Sequence, residues 1–265
     1  MQGIRKFKIA LSFFCGLLGL VGTGEGLRAE TTLTVAATPS LRSAFQEIVP
    51  MFEREYGASV RVVYGPSQIL RQKIEKGAPI DVFLPASAEE VFKLQKKGLT
   101  INGGPRVYAQ TSLVLVSSAA SPTIAASFRD VNAGTRLAIA DPRVSDLGAI
   151  TSRAIGKLDP AYRTHFNVRY AHHGEGILAL LHSGEADMGI VYRVDAINSG
   201  QVRIMDEDPA GTQTPVPFGE AVVSTCRKET MKVAEDFYNF VASPRIQKLL
   251  LKYGFDPVPS TGSRD

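Results

Sequence analysis

Four short turns bring hydroxyls, glycines and helix-starting residues together, and each follows a run that reads as a β-strand. They are ATPS (37–40), GPS (65–67), DPRVSDLG (141–148) and AHHGEG (171–176). The first backbone N–H groups of a helix have no partner within it, and together with the helix dipole they attract anions. Ser40 and Ser67 stand where an N-cap would stand, so each would present a hydroxyl beside such N–H groups. A serine cap alone is an ordinary structural feature. Two such turns in each half of the chain suggest an anion site built from neutral donors.

Other chemistries find less support. His172, His173 and Glu175 suggest a metal, and His165 and His182 complete the four histidines. Adjacent histidines seldom converge on one zinc, and no cysteine or spaced histidine completes a set, so no metal is expected. No GxSxG elbow is present. Cys226, in TCRK, has no base beside it in sequence and reads as a small buried packing residue. A proton-transfer pair would have to come from His172, His173 and Asp146, so an enzyme is not expected. Asp141 and Asp195 lie at turns or helix starts and read as caps, and Arg193 as a latch across a cleft or a solvated side chain.

Alternating strand and helix patterns must position these turns. LTVAA (33–37), SVRVVYG (59–65) and DVFLPA (81–86) read as strands. Helical patterns follow them at 41–55, 69–76 and 89–97. A second set comprises strands at 112–118, 136–142, 167–171 and 188–192, with helices at 148–157 and 177–183. This order predicts an α/β protein with largely parallel sheets. VPFGEAVVS (216–224) reads as a strand returning to the first set, followed by helices at 228–241 and 244–253. The expected division is a discontinuous lobe, 30–111 with 218–259, a second lobe, 112–217, and a short tail, 260–265. Ligands of such folds collect in the cleft at the carboxyl ends of strands.

The first 29 residues have the layout of a cleaved secretory signal: Arg5, Lys6 and Lys8, an apolar run from Ile9 to Val21, then small residues. That run is shorter than the roughly 20 residues a spanning helix needs. Cys15 lies inside it behind Phe13 and Phe14, unlike a lipid-modified cysteine, so a soluble periplasmic protein is expected. The leader carries Arg5, Lys6, Lys8 and Arg28 against Glu25, and without it the formal net charge falls from +4 to +1. No cationic field then remains to suggest nucleic acid or an anionic membrane as partner. Cys226 is the one cysteine left, so no intramolecular disulfide forms.

LTVAATPSLRSAF, QKIEKGAPIDVFLPAS, RLAIADP, GEADMGIVYRVDA and LLLKYGFDPV occur in this order along nearly all of the chain. In these segments the sequence resembles the ModA family of periplasmic molybdate-binding proteins. The resemblance implies a two-lobe type II binding-protein fold with a ligand cleft between the lobes. It also implies capture of molybdate or tungstate as an oxyanion, no cofactor, delivery to an ABC permease and a monomeric state. It places Ser40 and Ser67 as hydroxyl ligands, Leu147 and Gly174 as backbone N–H donors, and Tyr192 as a third hydroxyl. Two departures stand in the second half. Asp146, Leu147 and Gly148 replace the family's common Pro, Ala, Gly turn, and His172 and His173 stand before Gly174 where an acidic residue is common. Another small anion, such as phosphate or a carboxylate, is the alternative ligand.

Overall fold

The computed structural model describes residues 32–101, 103–120, 127, 134–158, 167–209 and 215–258. The leader, His165 and the 260–265 tail lie outside them. Among the described residues no helix is long and apolar enough to cross a membrane.

Two five-stranded sheets share one wiring. The first runs β2-β1-β3-β10-β4, with β1 Thr32–Ala37, β2 Ser59–Tyr64, β3 Val82–Leu84, β4 Arg106–Thr111 and β10 Val216–Val222. The second runs β7-β6-β8-β5-β9, with β5 Leu113–Ser118, β6 Arg136–Ala140, β7 Asn167–Ala171, β8 Met188–Tyr192 and β9 Val202–Asp206. In each, three strands are parallel, and a fourth enters antiparallel and carries a fifth at the edge. The central strands β1 and β8 are buried along almost their whole length. That burial on both faces explains their nearly unbroken apolar sequence.

Helices α1 Arg42–Tyr56, α2 Ser67–Glu75 and α3 Ala88–Lys96 follow β1, β2 and β3. Helices α4 Asp146–Gly156, α5 Gly174–His182 and α6 Arg193–Ser199 follow β6, β7 and β8. The tail forms α7 Met231–Val241 and α8 Pro244–Lys252. Apolar residues at helical spacing in α1 supply an aromatic seam, in which Phe52 meets Phe237 and Phe240 of α7 at centroid distances of 4.9 and 5.4 Å. Gly57 ends α1 in the left-handed conformation, φ 62°, which a residue with a Cβ adopts only at a cost.

Several elements depart from the sequence expectation. Strand β4 was not anticipated; the chain passes from it into β5 through Ser112, whose carbonyl accepts from Arg193 N–H at 2.9 Å. Strand β9 and helix α6 were also missed, being short and only partly apolar. The helices expected at 148–157 and 177–183 begin earlier, at Asp146 and Gly174. That shift places their first turns directly at the strand ends. The last stretch divides into a 3-10 turn, Lys228–Thr230, and α7.

Asp81 fixes the returning tail to the first sheet. Its buried carboxylate accepts from Thr34 N–H at 2.7 Å, Thr230 Oγ1 at 2.7 Å and the Arg227 guanidinium at 2.9 Å. Burial alone would raise its pKa, but Arg227, Thr34 and Thr230 outweigh burial and hold it below the usual carboxylate value. Asp81→Ala should cost about 3 kcal/mol, because it strands Arg227 and a buried N–H. The loss should appear as a lower urea midpoint, and an unchanged midpoint would remove Asp81 from this role.

Candidate functional site

A small cavity of about 30 Å³ lies between the two sheets. Residues after β1 (Thr38, Pro39, Ser40), after β2 (Pro66, Ser67) and after β3 (Ala86) close one side. The other side is Ser145, Asp146 and Leu147, then His173, Gly174 and Glu175, with Tyr192 and Asp195. Thus Ser40, Ser67, Leu147, Gly174 and Tyr192, separated by up to 152 positions in sequence, all line one space. Two larger hollows contain none of them: one of about 300 Å³ beside Ser112 and Pro217, and one of about 600 Å³ between α1 and α8.

The serines are placed differently from the capping roles expected of them. Ser40 is inside a 3-10 turn, Pro39–Leu41, whose N-cap is Thr38. Ser67 is the first residue of α2, and Pro66 is its N-cap. Ser67 Oγ accepts from Ala86 N–H at 3.0 Å, which leaves its proton to donate elsewhere. Leu147 is the second residue of α4 and Gly174 the first of α5, positions whose N–H has no acceptor within its own helix. Gly148 lets α4 start close to β6, since a Cβ there would lie 2.5 Å from Ala140 O. Gly174 is equally constrained, because a Cβ would lie 2.6 Å from Asp195 Oδ2.

No lysine or arginine is among the lining residues, whereas Asp146, Glu175 and Asp195 are. Asp146 points into the cavity with only 7 % of its surface exposed, and its Oδ2 has no hydrogen-bond partner. Tyr192 is 3 % exposed, and its Oη also lacks one. Burial pushes Asp146 up to about 7, helped by the charge of Glu90 and opposed by a hydrogen bond from Ser67. Burial likewise pushes Asp195 up to about 7 against a hydrogen bond from Ser40. Burial, reinforced by Asp146, raises Tyr192 well above its ordinary value, so its hydroxyl stays protonated. Each serine of the first sheet therefore meets a carboxyl group of the second. At the cavity's edge Arg42 Nε lies 3.2 Å from Glu175 Oε1.

Comparison with known proteins agrees with this architecture. Residues 33–256 match the family model of bacterial extracellular solute-binding proteins. The molybdate-binding protein ModA of Escherichia coli is 30% identical over 92% of this chain and 97% of its own. The chain belongs to the ModA family of bacterial extracellular solute-binding proteins. A putative ABC transporter substrate-binding lipoprotein of Bacillus subtilis, YvgL, is 27% identical over 95% of this chain and 98% of its own. The Azotobacter vinelandii periplasmic molybdate-binding protein superposes with a TM-score of 0.72 at 22% identity, covering 85% of this chain and 99% of that one. The two-lobe type II binding-protein fold is therefore that of this chain, and its relatives are solute-binding proteins of ABC transporters.

Against that family background the other singled-out residues take ordinary places. His173 is the N-cap of α5, its Nδ1 accepting from Gly176 N–H at 3.4 Å. No metal-holding cluster of His, Cys, Asp and Glu occurs among the described residues. Asp141, expected as a cap, is held by Arg143, whose hydrogen bonds lower it to about 2. Cys226 is half-buried instead of fully buried, its Sγ 3.7 Å from Thr230 Oγ1, and burial raises its thiol to about 11. Arg193 turns away from the cavity toward Glu207, Asp256 and the Gly254 carbonyl.

The raised carboxyls set a pH dependence of stability. Asp146 and Asp195 bind protons more tightly folded than unfolded, so their contribution is full below about pH 4 and is lost as pH rises through about 7. Glu220, pushed up to about 8 by burial, acts in the same direction. Ligand-free protein should unfold at lower temperature at pH 8 than at pH 5, each group contributing at most about 1.4 kcal/mol per pH unit. Thermal unfolding across that range checks this, and Asp146→Asn should flatten the slope. A melting temperature that rises from pH 5 to 8 would contradict it.

Proposed function

We propose that this protein captures molybdate or tungstate in the cavity between its lobes and delivers it to an ABC permease in the inner membrane. One observation carries the reading: hydroxyls and helix N-termini from both sheets meet in one cavity whose lining has no lysine or arginine. A tetrahedral dianion needs donors on all sides, and Ser40, Ser67 and Tyr192 with the N–H groups of Leu147 and Gly174 supply them. The molybdate-binding names of several relatives support the choice. The lobe expected at 30–111 with 218–259 moves against the one expected at 112–217, with the returning strand β10 entering the first sheet two residues earlier, at Val216. The chain works as a monomer in the periplasm after its leader is cut, without a cofactor or catalytic step.

The cavity is small, since one water needs roughly 10–15 Å³ by the same kind of measure. An oxyanion therefore enters an opened cleft, and closure brings both sets of donors to it. A second reading, a protonated anion such as hydrogen phosphate, is favoured by the unpartnered Oδ2 of Asp146, an acceptor in a shell of donors.

Isothermal titration of ligand-free protein near neutral pH with molybdate, tungstate, sulfate and phosphate decides between these. Molybdate and tungstate should bind tightest. Phosphate binding tighter than molybdate, or no heat from any of the four, would overturn the assignment. A hydrogen bond to a charged group contributes about 1.5–3 kcal/mol, so Ser40→Ala and Ser67→Ala should each weaken molybdate roughly tenfold or more. Unchanged affinity in both would remove the serines from the site. Because Ser67 also holds Ala86 N–H, its variant is read alongside a thermal unfolding curve.

A further inference from the structure

We propose that Asp146 holds one proton against the bound oxyanion, so that this site binds an unprotonated dianion only together with a proton. The inference rests on the oxyanion reading above and names the residue that adds a proton requirement to it. Asp146 is more than nine-tenths buried at the start of α4, and its Oδ2 lacks a partner in the same cavity as the orphaned Oη of Tyr192. Two unpartnered polar atoms in one enclosed space carry a large desolvation penalty, which a ligand seated between them relieves. Tyr192 offers a proton. An ionised Asp146 offers none and would face a dianion with like charge across a space closed to water. Protonated, its carboxyl O–H becomes a donor to a ligand oxygen, and the repulsion is replaced by a charge-assisted hydrogen bond.

The surroundings of Asp146 favour that proton. From α2, Ser67 and Gln68 lie near its carboxyl group and oppose the rise. From α3, Glu90 adds negative charge while Lys93 opposes it, and Glu90 is already paired with Arg71 and Lys93. On its own helix Arg153 acts on Tyr192, whose hydroxyl ends β8. On the same side of the cavity stand His173 and Glu175 of the α5 turn and Asp195 of α6, with Asp195 beside Ser40. Burial dominates this set and raises Asp146 to about 7, so the proton is available near neutral pH and scarce above it. The balance is simple: carboxylate plus one solution proton gives carboxylic acid, whose O–H points at the anion. Hydrogen phosphate carries that proton already, and its P–OH donates to the ionised Asp146.

The test measures proton uptake by titrating full-length mature protein with sodium molybdate in two buffers of different ionisation enthalpy. At about pH 8, wild type should take up about one proton more than Asp146→Asn, whose amide NH₂ supplies the donor permanently. Between about pH 7.5 and 8.5 wild-type affinity should fall nearly tenfold while the variant's stays nearly constant. The variant should then be the tighter binder at the alkaline end, which a merely structural Asp146 would not produce. Asp195→Asn serves as control and should keep the Asp146-dependent proton. If Asp146→Asn does not fold, wild type alone decides, because phosphate should take up about one proton fewer than molybdate at about pH 8. Molybdate binding with equal proton uptake in wild type and Asp146→Asn, or with equal uptake for both anions, overturns this proposal and leaves the oxyanion assignment standing. No binding of any oxyanion overturns both.

Discussion

Six strands, three from each sheet, end at the cleft with their carboxyl termini facing one another, and the chain must turn into a helix or a tight bend after each. Every such turn leaves N–H groups without an intrahelical acceptor at the same place. Ser40, Ser67, Leu147 and Gly174 are near neighbours only because β1, β2, β6 and β7 hold parallel registers within their sheets. Burial of β1 and β8 fixes those registers, since a one-residue slip would turn apolar side chains to the opposite face. Gly148 and Gly174 complete the arrangement by letting backbone and Asp195 approach where any side chain would collide. The proposed anion site is thus a property of the sheet ends as much as of particular side chains.

Neutral donors solve the problem of holding an anion and create another, because nothing in the lining offsets negative charge. The structure adds three carboxyl groups to that lining: Asp146 and Asp195, each beside a serine hydroxyl, and Glu175, which pairs with Arg42 at the edge. Outside the cavity the chain does the reverse. Asp81, Asp187 and Asp141 each have an arginine partner, and their pKa values fall. The same residue type is therefore a structural anion in one setting and a reservoir of protons in the other. For these aspartates the difference is the guanidinium, whereas burial keeps Glu220 raised to about 8 even though Arg106 pairs with it.

Much of this was legible from residue order. Strand and helix alternation gave the α/β layers, and the four Ser- and Gly-bearing turns, with Tyr192 from the ModA resemblance, all arrived at one cavity. Boundaries were less legible for a physical reason. Helices α4 and α5 begin at residues chosen for the cleft, Asp146 and Gly174, and not at the apolar periodicity that starts a turn later. The role of Asp195 was hidden because it resembles an ordinary first-turn carboxylate. Only the fold shows its Oδ2 over Gly174 and its closeness to Ser40.

Closure is governed by what the serines bond when the cleft is shut. The visible ties across it are modest: Arg42 and Glu175 are each about half exposed, and such a pair contributes about 0–1 kcal/mol. Near the crossings Asn198 reaches the Tyr253 carbonyl at 2.8 Å and Arg193 lies 3.8 Å from Asp256, so α6 is held to the tail where the chain passes between lobes. A ligand shifts this balance only by its differential affinity for the closed form. Ser40 lies against the carboxyl group of Asp195 and Ser67 against that of Asp146. A ligand seated between the lobes gains most from polar atoms that have no other partner, the Tyr192 hydroxyl and the Oδ2 of Asp146.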